Sequence, residues 1–365
     1  MKNTKLAQLA VLAASLSVGC GSDAEGGAGG GGGAAGAGGG SGAVGGGAGD
    51  GGGGVGGAGA GGTSGSAGSA GASGTGGGGP NVDRSGAKLH EFELDPQVLD
   101  SSTVDSLELQ YAQLDTRTPP VGKLVVFLAG ANNKPLDWRN HGRLLAGFGF
   151  HVLIPHYDNR WSSQNVCSGM GSSCGVDTRW EALVGEDTSA AVDISRADSA
   201  EGRVVTMLKH LTLAHAGGDW GYYLNSDDSL RYDRIVSAGI SHGASSAGLY
   251  AARRAFSRAV MHSGSPAGSA SAQKLTPVSQ WYAFAHTEDP AYQAIASSWE
   301  SFALPGALAD IDGAAPPFGG SHRLITSASS TYPHCSVVVH SSSPKDSAGD
   351  FVFEAAWRYL YGVAP

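Results

Sequence analysis

The chain has 365 residues, 41% hydrophobic and 15% charged, with a formal net charge of −9 at pH 7. That acidic balance argues against nucleic acid as a partner. The 60 glycines are unevenly spread, more than half of them between Gly21 and Gly79, so one part of the chain cannot form a core and the rest must be read separately.

Residues 1–20 read MKNTKLAQLAVLAASLSVGC, with Lys2 and Lys5, an apolar run from Leu6 to Val18, then Gly19 and Cys20. A charged start, a short apolar centre and small residues before a break make an export signal, too short for a spanning helix. Its end resembles a bacterial lipoprotein signal. Such signals usually carry Leu where Ser17 stands here, but Val18, Gly19 and Cys20 fit. The resemblance implies that Cys20 is the lipidated first residue of the mature chain, anchored to a membrane. Gly21 in place of Asp after the cysteine implies the outer membrane of a Gram-negative cell envelope. Residues 21–82 hold no aromatic residue and almost no large aliphatic one. They cannot bury enough apolar surface to offset their ordering entropy, and no apolar period marks a repeat solenoid. A disordered tether is expected, with a reach of roughly 40–45 Å.

Residues 83–365 have the composition of one globular domain large enough for a sizeable core. Residues 87–94 and 106–114 read as two early strands at a sheet edge. KLVVFLAG, 123–130, is a continuous apolar run, as expected for a strand covered on both faces. A helix is predicted after Pro135, a buried strand over 150–158, then a long loop over 157–192. An amphipathic helix follows over 195–216, with Val204, Val205, Leu208, Leu211 and Leu213 near one face. Strands over 234–239, 257–263, 280–286 and 322–328 alternate with helices over 244–255, 291–303 and 350–362. The pattern predicts a mostly parallel sheet with helices on both faces, and reactive groups on loops at the carboxyl ends of the strands.

GISHG, 239–243, falls where the strand RIVSAG stops and a helix begins. A serine there sits on a sharp turn, and small residues two before and two after it let strand and helix pack closely. The hydroxyl of Ser241 needs a general base and the base needs an orienting acid. The strand QWYAFAH is followed by Glu288 and Asp289, and Asp289 is preferred because it stands further into the loop, before Pro290. It could equally cap the next helix. His334, in the loop after HRLITSA, is preferred as base over His340 and over His322 at the strand's start.

The order Ser241, Asp289, His334, with GxSxG after a central strand, resembles the α/β-hydrolase fold over nearly all of residues 87–365. Several segments, among them NRWSSQNV and AHTEDPAY, also resemble a group of bacterial secreted α/β-hydrolases, which brings no substrate with it. The resemblance implies an oxyanion hole from the backbone N–H of His242 and a second N–H in the loop Ala129-Gly130-Ala131-Asn132, assigned to Ala131. The family's common His-Gly is absent from that loop.

Export permits disulfides, and Cys167 is expected to pair with Cys174 inside a Gly/Ser-rich loop, leaving Cys335 as a buried free thiol. No close Cys or His pairs complete a metal site, the acidic stretches 226–228 and 310–313 lack the spacing of a calcium loop, and no cofactor is implied. Trp161 and Trp180 are expected to wall an open cleft, with His242 and His286 lining it. The functional expectation is a monomeric cell-envelope carboxylester hydrolase acting through an acyl-enzyme on a small-molecule, lipid or polymer ester. A peptidase or amidase on the same triad and a non-catalytic surface-binding module are the alternatives.

Overall fold

The computed structural model describes Cys20 and residues 78–364. The segment read as a signal and most of the segment read as a tether lie outside the described residues. In chain order the strands are β1 Leu89–Leu94, β2 Gln110–Asp115, β3 Leu124–Leu128, β4 His151–Ile154, β5 Ile235–Ile240, β6 Arg258–His262, β7 Trp281–His286, β8 Ala309–Asp310 and β9 Arg323–Thr326. The helices are α1 Pro96–Leu99, α2 Arg139–Gly147, α3 Ser163–Val166, α4 Cys174–Val184, α5 Ala200–Ala214, α6 His242–Arg253, α7 Tyr292–Ser301, α8 Pro333–Ser336 and α9 Glu354–Tyr361.

The strands form one sheet in the order β1-β2-β4-β3-β5-β6-β7-β9-β8. Only β1 with β2 and β2 with β4 pair antiparallel; the other pairs are parallel. Helix-length crossovers account for the parallel part. Every residue of β3 and β5 is buried, which is why LVVFL reads as unbroken apolar sequence. Alternation persists within it. Leu124, Val126 and Leu128 face a core shared with α5 and α6 residues such as Met207 and Ala247. Val125 and Phe127 face a second core with Leu145 of α2 and Trp357 of α9. Two apolar faces on each central strand make a three-layer molecule.

The segment read as a loop over 157–192 instead contains α3 and α4. Helix α4 escapes a search for one apolar stripe because Thr178 through Val184 are buried consecutively, the polar Thr178, Arg179 and Glu181 included. The short strand β8 also carries no legible pattern.

The cysteines correct one expectation. Cys167 and Cys174 are joined as expected, but Cys335 is joined to Cys20, so no free cysteine is present among the described residues. The Cα atoms of Cys20 and Cys335 are 5.9 Å apart, within disulfide reach. Cys20 is buried in this pairing.

Three buried histidines make stability depend on pH. His151 donates from Nε2 to the Gly218 carbonyl and accepts at Nδ1 from the Tyr223 hydroxyl, so it is held neutral. Burial pushes its pKa down to about 4, that of His156 to about 4 and that of His262 to about 3. Below the unfolded value of about 6.5, the unfolded chain takes up protons that the native chain refuses. Stability is therefore full above pH 6.5 and is lost as pH falls from there toward 4, by up to about 1.4 kcal/mol per unit for each histidine. The melting temperature is expected to be level between pH 7 and 8 and to fall steadily from 6.5 to 4. A level profile across that window would contradict the neutral, buried state.

Candidate active site

Ser241 stands between the last residue of β5 and the first of α6, with φ 56° and ψ −117°. A non-glycine residue at positive φ in a buried junction is backbone strain held by its surroundings. Those surroundings require glycine on both sides. A Cβ on Gly243 would lie 2.0 Å from the Leu128 carbonyl oxygen, and one on Gly239 would lie 2.5 Å from the Gly243 backbone. The Ser241 N–H donates to the His262 carbonyl at 2.9 Å. Gly239 through Gly243 are buried except for Ser241, which is partly exposed.

Asp289 and His334 meet at the same carboxyl edge of the sheet, after β7 and β9. His334 Nδ1 donates to Asp289 Oδ2 at 2.7 Å, and both residues are buried, at 5% and 4% exposure. The other oxygen, Asp289 Oδ1, accepts the Ala291 N–H at the entry to α7. One carboxylate thus meets His334 and closes an Asx-turn ahead of α7, whose N-cap is Ala291 rather than Asp289. Glu288 is exposed, and its N–H donates to His286 Nδ1, while His286 Nε2 donates to the Ala328 carbonyl. His286 therefore fastens the loop after β7 to the loop after β9. His334 Nε2 has no hydrogen-bond partner among the described residues, so no hydrogen bond joins it to Ser241 Oγ.

The loop after β3 lies beside the serine. A Cβ on Gly130 would be 3.6 Å from the Ser241 Cβ. The Ala131 N–H donates to none of the described residues, whereas the Asn132 N–H is taken by the Asn159 carbonyl. His242 is the first residue of α6, and its N–H has no acceptor within the helix. Asn159 Nδ2 donates to the carbonyls of Gly130 and Asn133, and the Tyr157 hydroxyl to that of Ala129. Asn159 has no sequence signal, since its partners are 29 and 26 residues away. Beside this loop an open cavity of about 570 Å³ is lined by Asn132, Asn133, Lys134, His156, Asn159 and Arg160, among others.

A serine on a strained turn after the central parallel strand of a sheet ordered 1-2-4-3-5-6-7, with a hydrogen-bonded aspartate and histidine after later strands, decides the architecture. The fold is that of the α/β-hydrolases. No family model matches the chain, and no curated protein matches it. Solved structures similar to it include an esterase B from Lactobacillus rhamnosis, inhibited by a tributyrin phosphonate, at 12% identity and TM-score 0.36, covering 73% of this chain and 78% of that one. A second is an esterase 2 of Thermogutta terrifontis phosphonylated by cyclosarin, at 12% identity and TM-score 0.35, covering 76% and 92%. A third is a thermostable carboxylesterase cloned from a metagenomic library, at 13% identity and TM-score 0.39, covering 76% and 90%.

The remaining expected residues separate. His322 stacks on Tyr282 with ring centres 3.9 Å apart, at the amino end of β9 and away from the site. His340 Nδ1 bonds to the Ser342 hydroxyl. Trp161 packs edge-on against His242 at 4.7 Å and belongs to the site wall. Trp180 packs on Tyr250 and under Arg253 and Arg254 instead, a structural position. Burial and the charge of Arg179 hold the His242 pKa well below its ordinary value, so its imidazole stays neutral beside Ser241.

Proposed function

We propose that the chain is an exported serine hydrolase that cleaves carboxylic esters through an acyl-enzyme. The observation that carries this reading is the hydrogen-bonded Asp289–His334 pair on the sheet edge that also presents the elbow serine. Ser241 Oγ attacks the ester carbonyl carbon as His334 Nε2 takes its proton. Asp289 holds the imidazole by its Nδ1–H, which fixes the tautomer with Nε2 as acceptor. The N–H groups of His242 and Ala131 meet the developing oxyanion, each contributing about 3 kcal/mol. Collapse expels the alcohol with the proton from His334, and water repeats the sequence on the acyl-enzyme. The nucleophile–base contact tightens when substrate binds. Export is part of the proposal and is supported by the two disulfides, which persist in oxidising compartments.

The test is covalent. The protein is expected to hydrolyse a short 4-nitrophenyl ester and to be labelled stoichiometrically at Ser241 by a fluorophosphonate, read by peptide mass. Hydrolysis with the label on another residue would reject the assignment. Asn159→Ala removes both side-chain bonds that hold the Gly130 and Asn133 carbonyls. It is expected to lower kcat roughly 10- to 100-fold, since the second oxyanion donor loses its position. Steady-state kinetics with the same ester would show a KM changed less than kcat.

A further inference from the structure

Arg179 on α4 is a charged side chain that the proposed chemistry does not use. It is 8% exposed. Its Nη1 donates to the His242 carbonyl at 2.9 Å and to the Ser246 hydroxyl at 2.8 Å, on the first two turns of the helix that follows Ser241. The guanidinium carbon lies 5.3 Å from the ring centre of Trp161, which itself packs on His242. Both hydrogen-bond acceptors are neutral, and no carboxylate of a described residue forms an ion pair with Arg179. Arg203, comparably buried, has Asp198 at 2.9 Å. A buried cation without a counter-ion costs several kcal/mol. Burial brings the Arg179 pKa down only to about 10, so it stays charged at neutral pH.

The guanidinium's free side is informative. Nε and Nη2 make no hydrogen bond to a described residue, yet they are not among the fully enclosed orphan atoms, as Nε and Nη1 of Arg203 are. That pair of nitrogens is the fork that a carboxylate takes side-on with two parallel hydrogen bonds. The disulfide Cys167–Cys174 closes the loop directly before α4 and Trp161 covers the guanidinium, so the fork is held in place beside the nucleophile helix. We infer that the ester substrate carries a carboxylate, bound by Nε and Nη2 of Arg179 while Ser241 acts on the ester bond. The inference rests on the hydrolase reading, and it names the chemistry of the substrate's second functional group.

The carboxylate could sit on the acyl or on the alcohol part, and two ester pairs separate these sources. 4-Nitrophenyl hydrogen glutarate is compared with 4-nitrophenyl valerate, and 4-carboxyphenyl butyrate with phenyl butyrate. In the wild-type protein one anionic ester is expected to exceed its neutral partner in kcat/KM. In Arg179→Met that ratio is expected to fall about 10- to 100-fold, as the loss of a charge-assisted pair dictates. Arg179→Lys, which keeps the charge without the fork, is expected to fall between them. Equal losses on both members of each pair would mean that Arg179 only ties α4 to α6, and would overturn the inference. A binding arm does not depend on turnover. Glutarate is expected to raise the melting temperature of Ser241→Ala protein and not that of the Ser241→Ala, Arg179→Met protein. If both anionic esters and glutarate fail while neutral esters turn over, the inference falls and the hydrolase reading stands. If glutarate stabilises through Arg179 while no ester is cleaved, the hydrolase reading falls instead.

Discussion

Ser241→Ala is expected to lower kcat on a 4-nitrophenyl ester by four to six orders of magnitude, roughly the loss found when a triad nucleophile is removed, and to abolish fluorophosphonate labelling. The loss is this large because serine, histidine and aspartate act as a unit, leaving only the oxyanion donors and substrate positioning. The melting temperature is expected to stay within a few degrees of wild type. Alanine occupies positive φ no worse than serine does, and no described residue takes a hydrogen bond from the Ser241 hydroxyl. Asp289→Asn is expected to cost about 10⁴ in kcat, because an amide can stabilise the wrong imidazole tautomer. Glu288→Gln, at an exposed side chain whose backbone alone is held by His286, is expected to change kcat less than threefold. A Ser241→Ala protein that keeps more than a hundredth of its activity would remove this residue from the mechanism.

A large stability effect is expected two residues away, at Gly243→Ala. The added methyl carbon would meet the Leu128 carbonyl oxygen at 2.0 Å and that of Ala129 at 2.5 Å. Both are backbone atoms of the central strand β3 and the loop leaving it, so no rotamer relieves the contact. Either β5 and α6 separate from β3 or the elbow opens, and both break close packing that the core cannot recover. A loss of at least about 3 kcal/mol follows, or roughly 6–12 °C in melting temperature for a domain of this size. Gly171→Ala, where a Cβ meets nothing within 4 Å, is the matched control and is expected to melt as wild type does. A Gly243→Ala protein that melts normally would show that the β3–α6 contact is looser than its geometry indicates.

What the sequence made legible is what short-range physics encodes. Strands β3 and β5 are buried on both faces, so their apolar runs are unbroken, and the elbow declares itself because two glycines flank the serine within five residues. The preference for Asp289 over Glu288 rests on its place further into the loop, before Pro290, and the structure joins its carboxylate to His334 Nδ1 and to the Ala291 N–H. Long-range partners leave no such mark. Asn159 reaches back 29 residues to Gly130, and Cys20 and Cys335 are 315 residues apart. Cys335 was read as a free thiol because no spacing rule links it to a cysteine in the segment taken for a lipid anchor. Helix α4 was missed because burial on all sides erases periodicity, and Arg179 went with it.

The shared carboxylate of Asp289 also sets when the protein can first act. One of its oxygens requires the entry to α7, and the other requires a histidine 45 residues further along. On the proposed mechanism Ser241 would have no oriented base until the segment carrying His334 has docked, however well β5 and α6 have formed. On the same mechanism a chain not yet folded would be catalytically silent. Activity becomes a report on completed folding.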